Sequence, residues 1–598
     1  MKRILLIFAS LAIVSCGCNK PAQEGSDPKE QNEQKEQTPS DNPSEENPAV
    51  AAGSVVVKPV QLNLTVGKKE TVTATVYPPN TTDKTVVWAS SNPSVALVRD
   101  GVVITLAEGT ASITATCGTA VGTCEVKVDP LPAAEAPKGY GALPTQGQVA
   151  WQRQELLMFY HYGQATFSGW DGENDYCNGE PWSEELLLRN YKPTTIDTDQ
   201  WVKTAADNGF REIIITAKHH DGFCLWDNPE STADVANEDC SNHTDVLAGL
   251  RAACNKYDVN MGIYLSPWDK MIAAAGVSTD VYETRFKNAA KDLMTRYAPV
   301  VEFWLDGNHA GDFNWSSVNK TILDQNPQCV IFSNGGPGCR WVGNENGDAA
   351  ETNWATLNIK GRGLSPSYLP GNYEQYLMGG DEDGDSWCAA ECDFSIQQIL
   401  DHNGWFYGAH DSRKTAGDLM DLYYKSVGRN GVFLMNVPPS DKGVIDAKEV
   451  KIIEDFTAMR SAVFAQNLAD GALVTADKIR GKGFEPANLL DGNPETCFST
   501  PDADKSVEIE FTLDGDKTFN RVMLQEYIPL GQRVKAFSVQ ILKDGKWTTW
   551  KSGTTIGHKR ILLGSTVTTG AVKVKITSSK ACPVLNNFGL YNDTVSGL

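Results

Sequence analysis

Between residues 156 and 439 the runs LLMFYHYG, EIIITAKHHDGF, MGIYLSPWD, VVEFWLDG, CVIFSNGG and GVFLMNVPP recur at strand length. Stretches of helical periodicity such as DQWVKTAADNGF, TDVLAGLRAACNKY and TRFKNAAKDLMTRYA lie between them. Strands this apolar are buried on both faces, as in a parallel sheet covered by helices. Alternation on this scale predicts a (β/α)8 barrel rather than a doubly wound sheet, and the first strand is followed by no Gly-rich phosphate fingerprint, which removes the usual dinucleotide reading. The runs end in polar and aromatic residues: His161, then His219 and His220, then Tyr264 with Trp268 and Asp269, then Asp306. One such histidine is more often structural than catalytic. Four strand ends in succession point to a site on the carboxyl-terminal face of the barrel. In VVEFWLDG, Gly307 permits a turn, so Asp306 is expected where water and a ligand can reach it.

With 598 residues the chain is too long for one core. Residues 1–15 join Lys2 and Arg3 to the apolar ILLIFASLAIV and read as a signal peptide, too short to span a bilayer. IVSC resembles a bacterial lipobox, which implies lipidation of Cys16 and a lipid-anchored place in the cell envelope, periplasmic or outer-surface, of a Gram-negative bacterium. Residues 16–52, rich in Glu, Gln, Pro, Ser, Asn and Lys, are expected to be a disordered tether. Residues 53–130 alternate as short strands, an Ig-like β-sandwich. Within them VVWASSNPSVALV and GVVITLAEGTASITA resemble the bacterial immunoglobulin-like group 2 module, which implies a spacer or adhesive role. The hairpin ASITATC, GTAVG, TCEVKV is expected to set Cys117 and Cys124 across from each other, in reach of a disulfide in an oxidising compartment. Most other cysteines lie in apolar runs as expected free thiols, and no pair has zinc-ligand spacing with histidines. A linker (131–145) and the barrel (146–465) precede a second strand-rich region, 466–598. FEPANLLDGNPETCFST and the strands after it resemble a discoidin-like β-sandwich. Its LLDGNPETCF loop could hold carbohydrate or calcium, but packing is its main expected role. A net charge of -22 excludes nucleic acid and anionic membrane surfaces as partners and leaves a neutral ligand.

A retaining glycosidase needs two carboxyl groups about 5 to 5.5 Å apart. Asp306 offers one. GNENGDAAETNW, residues 343–354, offers both Glu345 and Glu351 for the other, and spacing alone does not choose between them. Fifteen tryptophans also suit a site that stacks sugar rings.

Across residues 148–471 the chain resembles glycoside hydrolase family 29, the α-L-fucosidases. FYHYGQATF looks like the family's first strand, placing its fucose-binding histidine on His161, and TAKHHDGFCLW places the histidine pair on His219 and His220. GIYLSPWDK matches the strand bearing Tyr264, with Trp268 and Asp269 beside it, and FWLDG makes Asp306 the nucleophile. SVGRNGVFLMNVPPSDKG resembles the last barrel strand. RWVGNENGDAAETNW looks like the subgroup favouring α-1,3/1,4-fucose on branched, Lewis-type glycans. That resemblance implies that the acid/base falls on Glu351, 45 residues after Asp306, with Trp354 nearby. Two segments depart from the family: GWDGENDYCNGEPW, which holds Glu180 and Trp182, and the stretch before Trp405, which lacks an Arg and carries an insertion. The resemblance implies an exo-acting, retaining α-L-fucosidase with substrate-binding residues His161, His219, His220, Tyr264, Trp268, Asp269, Trp354 and Trp405. It needs no cofactor and no metal. Its partner would be a fucosylated oligosaccharide or glycoprotein glycan, with membrane contact only through the anchor. The alternatives are an inactive surface glycan-binding protein and an exo-glycosidase acting on another sugar.

Overall fold

Eight short strands, with helices between most of them, form the barrel in a computed structural model that describes residues 49–306, 313–332, 338–359, 372–398, 405–409 and 412–598. Cys16, the expected signal peptide, nearly all of the expected tether and Gly307 lie outside these residues. The strands are β1 (Leu156–Tyr160), β2 (Glu212–Lys218), β3 (Asn260–Leu265), β4 (Glu302–Trp304), β5 (Val330–Phe332), β6 (Gly338–Trp341), β7 (Ala390–Ser395) and β8 (Gly431–Asn436). Each pairs in parallel with the next, and β8 pairs with β1 to close the barrel. The apolar runs account for six of these. The other two, β6 and β7, read GCRW and AECDFS, and their charged residues hide strands that are buried except for the half-buried Trp341.

Helix α1 (Gln146–Gln154) starts from a capping box in which Thr145 and Gln148 exchange side-chain and backbone bonds. It closes the amino-terminal end of the barrel: Gln148 donates to the Gly338 and Trp387 carbonyls, and the Trp151 indole donates to Glu302 at 2.6 Å. Around the barrel run α2 (Thr198–Asp207), α3 (Val246–Tyr257), α4 (Thr279–Arg296), α5 (Trp315–Leu323), α6 (Ala416–Lys425) and α7 (Ala447–Phe464). Asp197, Asp245 and Asn314 cap α2, α3 and α5. No described helix is long and apolar enough to cross a membrane.

The amino-terminal strands form small antiparallel and mixed sheets over a core that includes Val55, Val57, Ile113 and Val126. Its hairpin turns tightly at Gly118, so Cys117 pairs with Ala120 while Cys124 pairs with Ile113. The expected cross-strand partnership fails by register, and both thiols are free and buried. In the carboxyl-terminal sandwich two 20-residue strands, Val507–Glu526 and Arg560–Ser579, run antiparallel through two register shifts. They cover a core in which Phe511 stacks on Phe588.

Candidate active site

Side chains alternate along a strand, so in a closed barrel every second residue points into the lumen. On β1 that set is Leu157, Phe159 and then His161; on β4 it is Glu302, Trp304 and then Asp306. Phe159, Tyr264, Trp304 and Phe332 pack together as the lumen's aromatic layer. His161, Tyr264 and Asp306 stand at its upper edge, one step past that layer or on it.

The Asp306 carboxylate accepts from the Tyr264 hydroxyl at 3.1 Å and lies 3.8 Å from His220 Nε2. His219 stacks on Tyr264, with ring centroids 5.5 Å apart, and contacts His220 and His161. Each imidazole is held through Nδ1: His161 by Asn436 at 2.9 Å, His219 by the Asp171 carbonyl at 2.8 Å, His220 by Ser266 at 2.7 Å. Asn436 uses its amide NH2 on Ser395 and the Trp405 carbonyl, so its oxygen accepts from His161, and His161 Nε2 becomes an acceptor. Burial, and then the neighbouring His219, push His161 and His220 well below the usual histidine range, so both are neutral. Trp405 lies 5.5 Å from His161, and Trp268 stands edge-on to His220 at 5.0 Å.

The loop after β6 separates its two glutamates. Glu345 is within electrostatic reach of Asp306 and is hydrogen-bonded by Trp405. Partial desolvation and then the charges of Asp306 and Glu173 raise its pKa. Glu351 faces the carboxyl-terminal sandwich instead. Arg429 donates to its Oε1 at 2.7 Å, and Arg560 pairs with its Oε2. Against the upward push of partial burial, these two arginines hold Glu351 below the usual carboxylate range.

Other expected site residues are engaged elsewhere. Asp269 caps a short helix and forms a buried ion pair with Lys218 at 2.9 Å, leaving its carboxylate fully committed. Trp354 is buried and lies beneath the ammonium of Lys580 from the sandwich. Trp182 is buried, donating to the Asn174 carbonyl, and Glu180 pairs with Arg189. Sequence reasoning missed Glu173, in the loop after β1, whose carboxyl is raised by desolvation and by Asp171 and Asp306. It also missed Asp393, a β7 lumen residue whose pKa desolvation, Glu345 and Asp306 all raise. Period two on AECDFS would have turned Glu391 and Asp393 inward together. Asn436, the last residue of GVFLMN, was likewise readable as a strand end.

The array sets hydrogen-bonding rings beside the Asp306 carboxylate and above an apolar aromatic layer, with Glu345 within electrostatic reach. That arrangement suits a neutral polyhydroxylated ring and acid/base chemistry at one carbon.

The sequence profile of the alpha-L-fucosidase family matches residues 143–459; those of the F5/8 type C domain and the group 2 bacterial Ig-like domain match 474–588 and 51–128. Alpha-L-fucosidase 1 of Arabidopsis thaliana is 34% identical over 467 residues, covering 76% of this chain and 88% of that protein. Among solved structures, a Ruminococcus gnavus GH29 fucosidase in complex with fucose is 30% identical with a TM-score of 0.70, covering 78% of this chain and 97% of the other. A glycoside hydrolase 29 family member from an unknown rumen bacterium is 30% identical with a TM-score of 0.62, covering 76% and 78%.

Proposed function

The chain belongs to the alpha-L-fucosidase family and is a glycoside hydrolase that releases fucose, and from that premise we propose a retaining, exo-acting mechanism in which Asp306 is the nucleophile and Glu345 the acid/base. One observation carries this reading: of the two loop glutamates, Glu345 is electrostatically coupled to Asp306 and has a raised pKa, while Glu351 is held ionised by two arginines. A general acid must hold a proton near working pH, which the first environment favours and the second opposes.

In the first step an Asp306 carboxylate oxygen attacks C1 of the fucosyl ring. The glycosidic bond breaks as Glu345 gives its proton to the departing oxygen. In the second, Glu345 takes a proton from water, whose oxygen displaces Asp306 and frees fucose with its original anomeric configuration. The neutral His161 and His220 exchange hydrogen bonds with ring hydroxyls without adding positive charge beside an oxocarbenium-like centre. The similarity of RWVGNENGDAAETNW to the branched-glycan subgroup supports α-1,3/1,4-linked fucose on Lewis-type glycans as substrate. The IVSC run supports lipidation at Cys16 and envelope anchoring.

The test is azide rescue. Glu345→Ala should nearly abolish glycan cleavage yet still form the fucosyl-enzyme from an activated aryl fucoside, and azide, which needs no general base, should restore turnover as α-fucosyl azide. Rescue of Glu351→Ala and not of Glu345→Ala would reverse the assignment. Assayed side by side, α-1,3/1,4-fucosylated oligosaccharides should give higher kcat/KM than α-1,2-linked or aryl fucosides.

A further inference from the structure

The loop that carries Glu345 is fastened at its far end by a different domain. Arg560, on the first residue of a sandwich strand and only 4% exposed, donates to the Glu351 carbonyl at 2.6 Å and pairs with its carboxylate. Arg429, in the turn before β8, donates to the Ala349 carbonyl at 2.8 Å and to the same carboxylate. Each guanidinium therefore grips a backbone carbonyl and the one carboxylate between them. Around this core the sandwich adds neutral bonds. Thr554 reaches the Glu351 carbonyl and the Thr352 hydroxyl, Thr555 accepts from the Asn353 amide, and Gln532 accepts from the Ala355 amide and donates to the Asn353 carbonyl.

Between this fastening and β6 the loop has little freedom. Gly343 has φ 93°, and a side chain there would meet the Glu374 carbonyl at 2.4 Å. Asn344 brackets the next turn by donating to the Asp348 carbonyl and accepting from the Asn346 and Asp348 amides. Glu345 sits inside that bracket, six residues from Glu351.

We infer that Glu351, Arg560 and Arg429 form an interdomain clamp that positions Glu345, so that the carboxyl-terminal sandwich sets the geometry of proton transfer. Glu351 is a positioning residue, and the inference rests on Glu345 being the acid/base. Proton transfer tolerates little displacement: an error of about 1 Å can cost on the order of a hundredfold in rate. The Arg560 guanidinium is buried while the Glu351 side chain is 66% exposed, so the bonds to the Glu351 and Ala349 carbonyls hold the loop together with the charge pair.

The test compares kcat/KM on a Lewis-type oligosaccharide, whose poor leaving group needs the acid, with kcat/KM on an activated aryl fucoside, whose leaving group does not. Unfolded or depleted enzyme lowers both values equally, so their ratio reads acid positioning alone. In the full-length protein, Glu351→Gln and Arg560→Met should lower the ratio about tenfold or more, with Arg560→Lys recovering part of it. The basic limb of the pH profile should move down as the loosened Glu345 becomes better hydrated. Thr554→Val, at an exposed position, removes only the neutral bonds and should lower the ratio about twofold, which keeps the test open if the arginine variant does not fold. A ratio unchanged in all these variants but depressed in Glu345→Ala overturns the clamp alone. A parent-like ratio in Glu345→Ala overturns the acid/base reading and the clamp with it.

Discussion

Asp306 and Glu302 stand on the same face of one strand, four residues apart, and their surroundings give them opposite characters. Glu302 is fully buried at the closed end, where desolvation raises its pKa to about 7. Asp306 is at the open end, its side chain 44% exposed, with the Tyr264 hydroxyl donating to it. An ionised carboxylate next to the reacting carbon both stabilises developing positive charge and captures it. Asp306→Asn is therefore expected to lose about 3 kcal/mol or more of transition-state stabilisation in kcat/KM, with the melting midpoint held near that of the parent. A proton NMR time course on the parent enzyme should show α-fucose before β-fucose; the reverse order would exclude the double displacement. Asp306 could be read from the sequence because strand period and a terminal Gly are local signals. The choice between Glu345 and Glu351 could not, because what distinguishes them is Arg560, some two hundred positions away. Asp269 and Trp354 stood out as site residues for the same reason: their partners, Lys218 and Lys580, are not visible from the strand ends.

Among the elements, β6 and β7 were the ones the sequence concealed. Their lumen residues at the closed end include Cys339 and Glu391, which meet Glu302 there, with Glu212 of β2 beside it. The Cys339 thiol donates to Glu302 at 3.5 Å and to Glu391 at 3.8 Å. A polar residue in a strand of this length ordinarily signals an exposed face, yet here three carboxyl groups share a dry site that pushes each towards its protonated form. Desolvation comes first among the causes that raise Glu212, Glu302 and Glu391, and repulsion from Glu302 comes second for the other two. The consequence for stability has a definite sign. A carboxyl whose folded pKa is raised costs nothing below its unfolded pKa near 4.5, costs more as pH climbs, and levels off above the folded value, about 7 for Glu302. Glu302→Gln keeps an oxygen to accept the Trp151 indole and has no proton to lose. Its melting midpoint should match the parent near pH 4 and exceed it near pH 8, by up to about 3 kcal/mol in barrel stability. Scanning calorimetry across that range checks it, and a variant less stable at pH 8 than at pH 4 relative to the parent would mean that the cluster is held together by charge instead.

At the scale of the whole molecule, order along the chain and order in space differ. The amino-terminal Ig-like module precedes the barrel in sequence but docks on the carboxyl-terminal sandwich, where Lys68 donates to the Ala476 and Asp477 carbonyls, Lys69 pairs with Glu510, and Arg99 donates to the Leu513 carbonyl. The segment between module and barrel runs along that sandwich too, with Ala133 bridging to Lys482 and the Tyr140 amide bonded to the Leu530 carbonyl. Composition marked each of these regions, but composition says nothing about which surfaces meet, because the meeting residues are scattered lysines, arginines and backbone carbonyls. The two attachments also differ in kind. The Ig-like contacts are a few lysine and arginine bonds at partly buried positions, and the module's hydrophobic cluster is made of its own residues. The sandwich, in contrast, contributes Met523, Ile561 and Tyr591 to the hydrophobic cluster that covers the barrel's own helices, and Tyr591 packs edge-on against Phe464 at 4.9 Å. Removing residues 1–130 should therefore leave kcat/KM within about twofold on both glycan and aryl substrates. Ending the chain at residue 465 should strip apolar cover from α6 and α7 and leave the loop glutamates unfastened, so that the product is insoluble or, if recovered, poor on glycans first. Purifying both truncations and comparing circular dichroism melts with the two kcat/KM values decides it: a soluble, fully active barrel without the sandwich would show that the interface only joins domains, and that the site completes itself.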